Sequence, residues 1–138
     1  MKAKNMIAKI GEVGVDSGQL VVCDPCYIDD EWKREDFTPK RKPKSNFSYN
    51  RCCHITLENR QAGELKTKKG RSGLAVTFNT GLGDGLYDVM AEYSKDDDFG
   101  LRIKKVWIDF FKPYEKLIKE GKKAIRKVVR KNEKVKQG

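Results

Sequence analysis

Apolar residues follow two rhythms along this chain, and the change falls late. Over residues 6–10, 19–23, 53–57, 74–78, 87–93 and 101–110, short apolar runs are bounded by Gly, Asp, Asn or Pro, which predicts β-strands. Within 87–93, Tyr87, Val89, Ala91 and Tyr93 alternate with Asp88, Met90 and Glu92, the pattern of a half-buried strand. In the last run the phase slips: Leu101 and Ile103 share one parity, whereas Val106, Ile108 and Phe110 share the other. One extra residue at Lys104-Lys105, a β-bulge, would bring both sets onto one face. The segment 94–100 is a hairpin loop, too short for a parallel crossover, so its flanking strands are expected to pair antiparallel.

After Phe111 the spacing becomes helical, with Tyr114, Leu117, Ile118, Gly121, Ile125, Val128 and Val129 on one stripe and Lys or Arg elsewhere. Pro113 suits the first helical turn, and beyond Arg130 the pattern fades into a frayed tail. The stripe is expected to pack on the β body or on another chain, which would allow a homo-oligomer through this helix. Residues 33–50 have no periodicity; Pro39 and Pro43 bracket Lys40, Arg41 and Lys42, and the segment reads as a mobile basic loop. The expected fold is mostly β, of the α+β class: an antiparallel β-sandwich or partly open barrel over residues 1–110, followed by a basic amphipathic helix and tail over 111–138.

Charge changes this picture by its placement. The net charge is +10; residues 111–138 hold eleven Lys/Arg against three Asp/Glu, so the tail carries +8 and the preceding 110 residues +2. Such asymmetry predicts an anionic partner, a nucleic acid, a nucleotide-like ligand or an acidic host protein, with Lys40, Arg41, Lys42, Arg126, Lys127, Arg130 and Lys131 as the anion-contacting residues. The competing explanation is a solvated helix face. No run approaches the roughly 20 apolar residues of a membrane span, and the first residues lack an apolar stretch of secretory length. A cytoplasmic chain with reduced thiols is therefore expected.

The candidate chemistry is sparse. Cys23-Asp24-Pro25-Cys26 and Arg51-Cys52-Cys53-His54 offer Cys23, Cys26, Cys52 and His54 as a thiolate–imidazole set for zinc, with Cys52 and His54 sharing a face if the segment is a strand. Against zinc stand the adjacency of Cys52 and Cys53 and the proline in the first pair. A redox pair is disfavoured because no helical pattern follows Cys26. The default is no cofactor, with Cys23 a small core residue at a strand end. In Asn79-Thr80-Gly81-Leu82-Gly83-Asp84-Gly85-Leu86-Tyr87 three glycines permit positive φ or close approach to a ligand. A strand pattern follows, rather than the helix of a phosphate loop, so a structural turn with Asp84 bonded to backbone amides is expected.

The stretches VDSGQLVVCDPCYI and TGLGDGLYDVMAEY, with the closing IKKVWIDF, resemble an uncharacterised bacterial and phage domain family in which a strand ends in Asp-Pro and a Gly-Asp-Gly-x-Tyr turn enters a strand. The matching positions are Gly18, Asp24, Pro25, Gly83, Asp84, Gly85, Tyr87, Asp109 and Phe110. The resemblance covers the β body and implies a β fold, and its spread through phage genomes implies a host-interaction or counter-defence role.

The expected function is a non-enzymatic binding module for an anionic partner, with Asp24, Tyr27, Asp84 and Tyr87 around a ligand face. One alternative is an inhibitor that occludes a host protein. Another is a metal-dependent hydrolase built from His54 and a convergence of Asp16, Asp24, Asp84 and Asp109.

Overall fold

The computed structural model describes residues 4–112, 123 and 126–131. Its described elements run β1 (Lys4–Val15), β2 (Gln19–Cys23), α1 (Pro25–Glu31), α2 (Tyr49–Thr56), β3 (Ala62–Leu65), β4 (Ala75–Asn79), β5 (Gly85–Asp96) and β6 (Gly100–Ile108). The chain is mostly β, of the α+β class, and the strands form two three-stranded sheets, ordered β1-β5-β6 and β2-β4-β3. Neither closes into a barrel. Two compact units result, with boundaries at 13/14 and 86/87. Unit 1 comprises residues 1–13 and 87–138; unit 2, residues 14–86, is inserted between them in sequence.

In unit 1, β5 and β6 pair antiparallel about a register shift between Glu92 and Tyr93. Glu92 faces Lys105 and Tyr93 faces Ile103, so Lys104 is the extra residue of a bulge. The phase slip in the sequence is thereby explained. Ile103 lies opposite Tyr93, Val106 opposite Ala91 and Ile108 opposite Val89, which puts both apolar sets on one face. The hairpin closes over three residues: Gly100 takes φ +68°, and Asp96 Oδ1 accepts the Asp98 and Phe99 amides. Tyr87 and Ala91 are fully buried, and Tyr87 meets Phe110 edge to face at 5.3 Å. Residues 126–131 are helical, with Val128 and Val129 exposed. The other stripe positions Tyr114, Leu117, Ile118, Gly121 and Ile125, and Pro113 at the helix start, lie outside the described residues.

Unit 2 packs α2 on the sheet β2-β4-β3. Both pairings are antiparallel, with Val22 opposite Val76, and Gly63 opposite Thr77. The core gathers Phe47, Cys52, Ile55, Leu65, Leu74 and Ala75, flanked by Cys23, Tyr27 and Trp32. The helix corrects the expected strand at 53–57. Residues Asn50, Cys52, Cys53, Ile55 and Thr56 are the buried ones, and the 1-3-4 spacing from Cys52 is one that only a helix presents to one side. Ser48 caps it, its Oγ accepting the Arg51 amide at 3.1 Å. Phe47 just before the cap joins Cys52 in the core, as a hydrophobic staple does. The helix sits so close to β3 that a Cβ on Gly63 would lie 2.8 Å from Ile55 Cγ2.

The two ends of unit 2 are tied by the glycine turn. The Gly18 amide donates to Asp84 Oδ1 at 2.8 Å, the Thr80 amide to the Gly18 carbonyl at 3.0 Å, and buried Thr80 Oγ1 to the Gly83 carbonyl at 2.7 Å. Gly83 takes φ +104°, which an L side chain rarely adopts. The turn does the structural work expected of it.

Candidate functional site

The segment after α1 is a basic loop, as the sequence suggests, but it is held by hydrogen bonds rather than hanging free. Its neck closes where the Lys33 amide donates to the Phe47 carbonyl at 2.9 Å, the layout of an Ω-loop. Glu35 is the hub. One carboxylate oxygen accepts Ser48 Oγ at 3.0 Å and the other the Lys44 amide at 2.8 Å. Burial works against its charge with the largest single effect, yet the bonds from Lys44, Ser48, Asn50 and Ser45 together hold its carboxyl below the usual range. Buried Asn50 accepts the Thr38 amide at 2.9 Å and donates to Thr38 Oγ1 at 2.9 Å. His54 Nε2 donates to the Thr38 carbonyl at 3.0 Å.

This scaffold shapes a groove. A cavity of about 500 Å³ is lined by Lys33, Arg34, Arg41, Lys42 and Lys44 with Glu35, Asp36, Thr38 and Ser45. It shares Lys33, Lys44 and Ser45 with a second cavity of about 250 Å³, which adds Glu31, Asn46, Phe47 and Lys68. Asn46 and Lys68 then lead into a third of about 260 Å³, with Arg51, Glu64, Lys66, Thr67 and Gly70. Asn46 Nδ2 bridges the walls by donating to the Thr67 carbonyl at 3.3 Å.

Unit 2 has twelve Lys/Arg and ten Asp/Glu; eight of the twelve line the groove, against four of the ten acids. None of those eight cations is in an ion pair among the described residues. The reason is local. Glu64, which could neutralise a lysine, instead accepts Ser72 Oγ and the Gly73 amide, both at 3.1 Å, and Glu35 is committed to the loop.

The residues singled out in the sequence fall elsewhere or only partly here. Arg41 and Lys42 line the groove; Lys40 is exposed on the same loop. Arg126, Lys127, Arg130 and Lys131 are exposed on the C-terminal helical segment. Asp24 caps α1, Tyr27 packs on the core of unit 2, Asp84 holds the Gly18 amide, and Tyr87 is buried in unit 1. Lys33, Arg34, Lys44, Arg51, Lys66 and Lys68 were not singled out. The basic turn Lys66-Thr67-Lys68-Lys69-Gly70-Arg71 was a signal in plain view.

The thiols read differently once α2 is a helix. Cys52 and His54, two apart on a helix, point apart instead of sharing a strand face: Cys52 enters the core, whereas His54 meets Phe37 at 5.7 Å and bonds Thr38. A helix does follow the first pair, contrary to expectation, with Asp24 as N-cap and Pro25 in its first turn. Asp24, bonded to Cys26, pushes that thiol up, opposite to what a reactive thiolate needs. Burial pushes the Cys52 thiol up as well. Asp109 accepts the Phe111 and Lys112 amides. Among the described residues no three His, Cys, Asp or Glu side chains are grouped to hold a metal ion. No described helix is long and apolar enough to cross a membrane.

Comparison with known protein families, with curated proteins and with solved structures finds no match.

Proposed function

We propose that this chain is a non-enzymatic binding module for an anionic partner, held in the groove of unit 2. One observation carries the reading: eight unpaired cations line three cavities that share walls. Mobile surface cations scattered at random would favour solubility alone. Cations gathered in a concave, hydrogen-bonded scaffold focus their field where an anion would sit. The groove is pre-shaped by Glu35, Ser48 and Asn50, so less ordering cost falls on binding.

The test compares two triple variants that remove equal charge. Lys33→Gln/Lys44→Gln/Lys68→Gln empties the groove of three cations; Arg126→Gln/Lys127→Gln/Arg130→Gln takes three from the C-terminal segment. Titrated with inorganic polyphosphate, the first is expected to lose far more affinity than the second. Equal losses would mean that diffuse charge, and no site, governs binding.

A further inference from the structure

We infer that the anion is the phosphate backbone of a single nucleic-acid strand, bound without base readout; this rests on the groove being an anion site, as proposed above. The lining itself narrows the partner. A protein interface needs an apolar centre, with lysine depleted there, but five of the groove's eight cations are lysines and its one large apolar liner, Phe47, is 2% exposed. An acidic protein would find no anchor. A nucleotide-like small ligand is bound by a platform for its ring together with polar groups that fix its orientation, and no exposed aromatic ring lines any of the three cavities.

What remains is a repeating anion. Three cavities in succession, neighbours sharing lysines in their linings, suit a chain that carries one charge per unit. A duplex presents its phosphates on a convex cylinder and would touch only the rims, whereas a single strand can lie along the floor. Single-strand proteins pair such a groove with stacking aromatics. Here the rings are missing, so affinity comes from phosphate contact alone and base identity carries no weight. Of the rings near the groove in sequence, Trp32 and Phe47 are spent on each other, edge to face at 4.9 Å, and the exposed Phe37, which lines none of the three cavities, meets His54 edge to face at 5.7 Å.

Fluorescence anisotropy on the full chain tests this with labelled oligo(dT), labelled oligo(dA), a labelled hairpin duplex of equal phosphate number and end-labelled polyphosphate, each titrated directly. The expected result is that oligo(dT) and oligo(dA) bind alike and both bind more tightly than the hairpin. Lys33→Gln/Lys44→Gln/Lys68→Gln should raise the oligo(dT) Kd roughly tenfold or more at low salt. It should flatten the slope of log K against log salt by about 2, at about 0.7 per single-strand phosphate contact. Circular dichroism of the variant guards against misfolding, and Lys44→Arg in place of Lys44→Gln, which keeps that one charge, should recover about one third of the lost salt slope. Tighter binding of the hairpin overturns the single-strand inference. Polyphosphate binding without oligonucleotide binding overturns the nucleic-acid inference and leaves the anion groove standing. If neither binds, the groove reading falls as well.

Discussion

The two units differ in how their cations are answered: carboxylates cap turns in both, but the described ion pairs lie in only one. In unit 1 the described ion pairs are all present: Lys9 with Glu12 and Asp88, Lys104 with Glu92, and Lys112 with Asp88. Lys105 lies 5.1 Å from the Trp107 ring. The paired cations are exposed and are answered by carboxylates of β1 and β5. In unit 2 four of the ten carboxylates are diverted to the backbone and to hydroxyls: Asp24 to Cys26, Glu35 to Lys44 and Ser48, Glu64 to Ser72 and Gly73, Asp84 to Gly18. An acid that holds a turn or a cap is a poor counter-ion for a lysine side chain. The comparison teaches that net charge does not locate the cations gathered in the groove. Residues 111–138 hold most of the net charge, yet the cations gathered into a shaped, unneutralised site lie in a unit with a net charge of only +2, twelve basic against ten acidic residues.

The largest effect should follow from the tight contact of α2 on β3. Gly63→Ala places a methyl against Ile55 in a packed layer and is expected to cost roughly 1–3 kcal/mol, typical of overpacking. Thermal melting checks it, and the loss should be accompanied by weaker polyphosphate binding because the loop 33–48 leads directly into α2. Gly11→Ala in unit 1, where a Cβ meets nothing within 4 Å, should leave both nearly unchanged.

Ser48→Ala removes a helix cap and one of the partners of Glu35. The cap alone is worth about 1 kcal/mol, and the melting temperature should fall while the β5–β6 hairpin keeps its amide protection in hydrogen exchange. Asp88→Asn, which breaks two exposed pairs in unit 1, should change melting far less, as surface pairs contribute little.

Acid sharpens the contrast. The Glu35 carboxyl is held below its ordinary value, so it binds its proton less readily folded than unfolded. Its stabilisation is present in full above the unfolded-state value and is lost as pH falls through the lower folded-state value. The gap in melting temperature between wild type and Glu35→Gln should therefore be widest near neutrality and close in acid. A gap that widens on acidification would reverse the assignment. The smallest effect concerns Cys26: Asp24→Asn should let its thiol ionise at lower pH, and alkylation by iodoacetamide near pH 8 should quicken.

Much of the strand framework was legible because it depends on local pattern. The Lys104 bulge could be read from parity alone, and β2 from a single apolar run. The α2 helix was missed because Cys53, Ile55 and Leu57 alternate like a strand, while the decisive signals, Ser48 as cap and the buried Asn50-Cys52-Cys53-Ile55-Thr56 spacing, need the period to be tried from one turn earlier. The division into two units was hidden because both its boundaries fall within strands, β1 and β5. The groove was only partly visible: Lys40, Arg41 and Lys42 stand out as a cluster, but Lys33, Arg51 and Lys68 come together only when the loop, α2 and the β3–β4 turn are folded. That Glu35 and Glu64 serve the backbone and hydroxyls is a tertiary fact that no charge count contains.

Amide chemical-shift mapping locates a bound anion residue by residue. On titration of the isotopically labelled full chain with inorganic polyphosphate, the account predicts that the shifts concentrate on residues 33–46, on Arg51 and on residues 66–70, with saturable behaviour, while 126–131 and the β5–β6 hairpin move little. Shifts centred on 126–131, or spread evenly over every exposed lysine, would contradict it.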